Sequence, residues 1–120
     1  MSEHDRVGAV EPQELERLFV ERVNAGDVDG LVALYEADAV VALSPGNVAT
    51  GSEAIRRGLD DFVASGVNLT LGEQQPTLRV GDLALGSTRL NDGGVTAEVA
   101  RRQPDGTWRW VIEKWNVIAE

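Results

Sequence analysis

Gly66-Val67-Asn68-Leu69-Thr70-Leu71 marks the point where the apolar period of this chain changes. Before it, apolar residues recur at helical spacing. From Val67 onward they alternate, as on a strand. Upstream, Glu11-Pro12-Gln13-Glu14 opens a first predicted helix. Proline suits a first turn because the N–H it lacks has no partner there, and acids favour the positive end of the helix dipole. Leu15, Leu18, Phe19, Arg22 and Val23 follow on one face, and Asn24-Ala25-Gly26 stops the helix. Asp27 can cap a second, short helix carrying Val28, Leu31, Val32, Leu34 and Tyr35. Ala39 to Leu43 is an apolar run of strand length, closed by Ser44-Pro45-Gly46-Asn47. A third helix starts near Gly51-Ser52-Glu53, carries Ile55, Leu59, Phe62 and Val63, and ends at Gly66.

Downstream of Leu71, strands are predicted over Thr77 to Val80, Leu83 to Leu90, Val95 to Arg102 and Trp108 to Ile118. Gly81-Asp82, Asn91-Asp92-Gly93-Gly94 and Gln103-Pro104-Asp105-Gly106 separate them with turn chemistry. Helices first and an antiparallel meander afterwards is the α+β pattern.

The chain has 120 residues, enough for one domain with one core. Residues 1–9 are polar and unpatterned and read as a flexible tail, leaving 10–120 as the domain. Eleven Lys and Arg against twenty Asp and Glu give a net charge of −9. Nucleic acid and anionic membrane surfaces are repelled by that balance, and Arg56-Arg57 and Arg101-Arg102 are too few for a phosphate-binding face. No apolar run approaches the roughly 18 residues of a membrane span. The start, Met1-Ser2-Glu3-His4-Asp5-Arg6, lacks the pattern of a signal peptide, so a soluble cytoplasmic protein is expected. Zero Cys excludes a disulfide scaffold, a thiolate metal site and a cysteine nucleophile. The lone His4 lies in the presumed tail. No metal-ligand spacing and no phosphate loop occur, so neither metal nor cofactor is expected.

The last hairpin carries the candidate chemistry. With Gln103 to Gly106 read as a two- or four-residue connection, Glu98 faces Val111, Ala100 faces Arg109 and Thr96 faces Glu113. Glu98, Arg109, Val111, Glu113 and Trp115 then share one face, and Val95, Ala97, Val99, Trp108, Trp110 and Ile112 the other. A three-residue loop would shift the register by one and break this grouping. Three helices cover only one sheet face. Trp108, Trp110 and Ile112 therefore ask for a second copy, a homodimer, unless the sheet curls and buries part of itself. Glu98 and Glu113 become diagonal neighbours about 7–8 Å apart. Enclosed together, they would have raised pKa values and suit general acid or base work. The competing reading has Arg109 neutralise Glu98, or both acids solvated. Tyr35 is either a core residue or a hydroxyl reaching a pocket.

The order of elements over residues 12 to 118 resembles the nuclear transport factor 2-like superfamily. The segments that carry the likeness are Asn24-Ala25-Gly26-Asp27-Val28-Asp29-Gly30-Leu31-Val32-Ala33-Leu34-Tyr35, Asp38-Ala39-Val40-Val41, Gly51-Ser52-Glu53-Ala54-Ile55 and Arg101 to Arg109. They are similar to its SnoaL-like and ketosteroid-isomerase-like branches. The resemblance implies a cone: a curved mixed sheet wrapped by three N-terminal helices around an apolar pocket, often as a homodimer through the outer sheet face. It places Phe19, Leu43, Leu59, Val111 and Trp115 on the pocket wall with Tyr35 nearby, and Glu98 and Glu113 as its carboxylates. Steroid isomerase machinery is not carried over. The family's proton-shuttling Asp falls on Leu43 and its helix-borne Tyr on Phe19, while Glu98 matches its second acid and Trp115 its late aromatic.

Fold alone does not choose a reaction. Three functions remain: an isomerase-, cyclase- or hydratase-type enzyme of secondary metabolism acting on a small hydrophobic molecule such as a polyketide; a binder with the same pocket; and a dimeric interaction module.

Overall fold

A computed structural model describes residues 7–118. The expectations for His4 and the first six residues lie outside the described residues. Helix α1 spans Glu14–Asn24, α2 Val28–Val32 and α3 Ser52–Ala64. The strands are β1 Tyr35–Ser44, β2 Asn47–Thr50, β3 Glu73–Gln74, β4 Leu78–Val80, β5 Leu83–Gly86, β6 Thr88–Arg89, β7 Ala97–Arg102 and β8 Trp108–Lys114. A six-stranded sheet runs in the order β2-β1-β8-β7-β5-β4, and β3 pairs with β6 in a separate ribbon. The β1–β8 pair is parallel and its neighbours are antiparallel, so the sheet is mixed. The fold is the expected α+β architecture. The helices pack on one sheet face over a core that includes Leu15, Phe19, Leu31, Val41, Ile55, Leu59 and Trp110.

Several elements differ from expectation for definable reasons. Val67 to Leu71 forms no ladder. Instead Asn24, at the end of α1, donates its side-chain amide to the Leu69 carbonyl at 2.8 Å and accepts the Leu69 N–H at 2.7 Å. A side chain thus takes the place of a partner strand. The run Leu83 to Leu90 breaks at Ser87, where the chain leaves β7 and pairs with β3. Tyr35 begins β1 rather than ending α2. Ala9, within the stretch expected as a tail, is fully buried, and its carbonyl accepts the Trp108 N–H at 2.8 Å.

The decisive correction is in the last hairpin. Gln103 N–H donates to the Thr107 carbonyl, and Gly106 N–H to the Gln103 carbonyl. Pro104-Asp105-Gly106 is therefore a three-residue loop, with Gly106 at φ 87° supplying the left-handed position it needs. Arg102 then pairs with Trp108 and Ala100 with Trp110. That register turns Trp108 and Trp110 toward the helices, 2% and 1% exposed, and not onto the outer face. A bulge between Val99 and Ala100, opposite Val111, shifts the ladder again. Beyond it Val99 pairs with Ile112 and Glu98 directly with Glu113. Glu113 returns to the interior, Ile112 points outward at 54% exposure, and Arg109 and Val111 stay half-buried, away from the inner row. Two offsets, one in the loop and one at the bulge, bring the two acids to the same face.

Candidate functional site

Three carboxyl groups meet inside the fold. Glu98 comes from β7, Glu113 from β8 and Glu16 from the first turn of α1. One oxygen of each lies within 4.8 Å of the others, and all three residues are buried. Gly86 faces Glu98 across the β5–β7 ladder, and a Cβ there would stand 3.2 Å from Glu98 Oε1, so the glycine leaves the carboxyl its space. At an effective dielectric constant of about 20, two unit charges at such a distance repel by roughly 3.5 kcal/mol. Full ionisation of the three would cost on the order of 10 kcal/mol, comparable to the whole stability of a domain this size. The cluster therefore holds protons.

The three groups differ in partners. Glu113 Oε1 accepts the Tyr35 hydroxyl at 2.5 Å and the Trp115 indole N–H at 3.1 Å. Burial and the charges of Glu98 and Glu16 outweigh these donors and hold the Glu113 carboxyl well above the usual range. Two donors occupy Oε1, so the proton of neutral Glu113 belongs on Oε2. Burial, then the Glu98 charge, raises Glu16 to about 7. Burial raises Glu98 to about 7 as well, against a lowering contact from Thr96. Glu98 Oε2 is buried and has no hydrogen-bond partner. The Tyr35 hydroxyl, enclosed beside Glu113, is pushed well above its ordinary range, first by burial, so it stays a donor.

Glu16 and Glu98 line a cavity of about 20 Å³ floored by Ala100 and Trp110. Pro12, Gln13, Gln74, Gln75 and Thr77 separate it from an outer depression of about 520 Å³, which reaches Glu11 and Arg79. The cavity and the depression thus adjoin between the start of α1 and the β3–β4 connection. No basic side chain lines the inner cavity. Arg109, the expected neutraliser of Glu98, pairs in register with Arg101 instead.

Aromatic rings pack against one another between the helices and the sheet. Phe62 and Trp115 lie 4.9 Å apart between ring centres, Phe19 and Trp115 5.9 Å, Phe19 and Trp110 5.9 Å, and Tyr35 and Trp110 5.2 Å. Of the residues expected on a pocket wall, Phe19, Tyr35 and Trp115 belong to this packed aromatic group, and Leu59 is fully buried. Leu43 is half-buried and packs on Gly58 of α3, where it lines a separate surface depression with Pro45 and Val48. Val111 sits at the bulge. Neither Leu43 nor Val111 reaches the carboxyls' cavity. Glu16 was not foreseen, although a signal existed. It occupies an apolar-stripe position, three residues before Phe19 and seven before Val23, where an acid at a helix start is easily attributed to the dipole.

A family model described as the SnoaL-like domain matches residues 16–114, spanning all of this machinery from Glu16 to Glu113. The chain belongs to the SnoaL-like family. Solved structures agree on the fold of this SnoaL-like protein, which is that of the nuclear transport factor 2-like superfamily. A Thiobacillus denitrificans protein described as a candidate calcium/calmodulin-dependent protein kinase type II association domain superposes with TM-score 0.74 at 16% identity, covering 90% of this chain and 95% of that one. A nuclear transport factor 2-like protein of unknown function from Pseudomonas putida gives 0.66 at 22%, with 97% and 88% covered. A candidate dehydratase from Streptomyces avermitilis gives 0.65 at 21%, with 85% and 89% covered. No curated protein matches the sequence. No helix among the described residues is long and apolar enough to cross a membrane.

Proposed function

We propose that this SnoaL-like protein binds a small organic molecule in the outer depression and exchanges a proton with it through Glu98. One observation carries the reading: Glu98, whose buried Oε2 has no hydrogen-bond partner, lines a cavity that shares its lining residues Pro12, Gln13, Gln74, Gln75 and Thr77 with an exterior depression. A carboxyl titrating near 7 serves equally as base and acid at neutral pH. Glu16, the second carboxyl lining the cavity and likewise raised to about 7, supplies the complementary acid, while Glu113 behind it is held by Tyr35 and Trp115. Isomerisation, cyclisation and addition or removal of water need no more than such a pair. The outer depression of about 520 Å³ is of small-ligand size, whereas the inner cavity of about 20 Å³ takes only a reacting end. A polyketide-sized skeleton would have to displace the aromatic packing.

The test is isotopic. Small molecules captured from a cell extract are incubated with the protein in D2O and analysed by mass spectrometry. The expected result is deuterium at a carbon-bound position of a retained molecule, reduced at least 100-fold with Glu98→Gln. Retention without any exchange would replace the enzyme reading with that of a binder.

A second proposal concerns assembly. The outer sheet face exposes Leu78 and Val80 on β4, Leu83 and Leu85 on β5, Ile112 on β8, and Val40 and Val48 on β1 and β2. Pairing of Leu78 with Leu85, Leu85 with Val99, Val99 with Ile112 and Ile112 with Val40 makes these a row across the sheet. We propose that a second copy covers this row, with Ile112 and Leu85 in place of the Trp anchors expected from the sequence. Light scattering should give a dimer mass that Leu85→Asp with Ile112→Asp halves. A monomeric wild-type protein at tens of micromolar would exclude it.

A further inference from the structure

The cavity beside Glu98 has a chemistry more specific than acid–base reactivity, and it selects among substrates. We infer that it receives a compact ammonium group, so that the molecule acted on carries a small primary or methylated amine beside its reacting centre. The inference rests on the proposal that Glu98 meets a substrate.

Two acidic residues, Glu16 on α1 and Glu98 on β7, line the cavity together with Trp110. Glu98 is 7% exposed, and its Oε2 lacks a donor. An N–H donor would satisfy that oxygen. A neutral ligand with one hydroxyl could do so too, but it would leave the second carboxyl and the ring without a complementary charge. An ammonium answers all three, because its hydrogens reach both carboxylates and its charge suits an indole ring. Tetrahedral N–H groups bonding acceptors at about 2.8 Å span acceptors up to about 4.6 Å apart, and 4.8 Å is the upper limit on the separations of the Glu16, Glu98 and Glu113 oxygens.

A divalent metal fits less well. A hard cation takes about six or more oxygen ligands and makes up any shortfall with waters, whereas about 20 Å³ holds roughly one water. Glu113 does not line the cavity, its Oε1 already accepts two donors, and the Trp110 side chain carries no oxygen. Arg79, the cation at the outer mouth, is drawn aside by Glu11 at 3.5 Å and lies over the Trp108 ring at 4.8 Å.

The full chain, labelled with carbon-13 at the Glu side-chain carboxyls and nitrogen-15 at the Trp indoles, is titrated by NMR with methylammonium chloride. Methanol is the neutral isostere, sodium chloride matches ionic strength, and magnesium chloride is the metal arm. Methylammonium should shift the Glu98 carboxyl and the Trp110 indole saturably, while methanol and sodium chloride should not. Affinity should fall at least tenfold in Glu98→Gln and stay unchanged in Glu36→Gln, whose carboxylate pairs with Arg101 at the surface. Should Glu98→Gln fail to fold, Glu16→Gln replaces it with the same expectation. Equal saturation by methanol would overturn the ammonium and leave the small-molecule reading standing. Saturation by magnesium below the methylammonium range would overturn it in favour of a metal. No response of Glu98 to any probe would also overturn it, and the D2O exchange assay would then judge the functional reading by itself.

Discussion

Stability against urea will fall as the pH rises from 5 to 8. Glu16 and Glu98 release their protons near 4.5 when unfolded but near 7 when folded. Between those values the folded chain binds more protons than the unfolded one, so the unfolding free energy decreases with pH. Their contribution is complete below about 4.5 and is lost by the time pH passes 7. Each group alone corresponds to on the order of 3 kcal/mol. The two are neighbours, so ionising one also penalises the other and the losses do not simply add. Glu113, also raised first by burial, acts with the same sign. Glu98→Gln should flatten this slope and be more stable than wild type at pH 8 by on the order of 1–3 kcal/mol. Denaturation midpoints measured at half-unit pH steps decide it. Stability that rises across this window would mean the three acids are not enclosed together.

Trp110→Ala should destabilise the fold by about 3–5 kcal/mol, a large share of the roughly 5–15 kcal/mol a domain possesses. Trp110 is 1% exposed, meets the rings of Phe19 and Tyr35, and floors the carboxyl cavity. Removing it leaves a void bordered by β1, β8 and α1 that these elements cannot all close. Urea unfolding followed by far-ultraviolet circular dichroism measures the loss, which should be independent of protein concentration. A change below about 1 kcal/mol, or one that scales with concentration, would place Trp110 in a subunit contact and restore the register in which it faces outward.

How much of this was legible in the sequence varies by element. Helix α1 and its end at Asn24 followed from an apolar stripe and a glycine, because helix formation is decided within a few turns. Glu98 and Glu113 stood out because acids in strands with apolar neighbours need a reason. Their mutual placement was misread. The assumed loop put them diagonally opposite with Trp108 and Trp110 outside, whereas the three-residue loop and the bulge at Val111 pair them directly with both Trp inside. Pro104-Asp105-Gly106 is compatible with more than one loop length, and nothing local to Val111 announces a bulge. Glu16 was hidden for a related reason: its neighbours in sequence describe an exposed first turn, and its neighbours in space come from residues some eighty and a hundred positions away.

The sequence by itself determined the class of fold, the order of its elements and the kind of chemistry available. Periodicity, turn residues and the absence of Cys are local properties that need no partner to be read. Only the tertiary structure decided that three acids share one buried site, that Phe19, Phe62, Trp110 and Trp115 pack together, and that Gln13, Gln74 and Gln75 stand between the cavity and the outer depression. Each depends on strand register. Because side chains alternate along a strand, an offset of one residue moves every group to the opposite face, and the energy that selects the offset comes from packing across the whole domain.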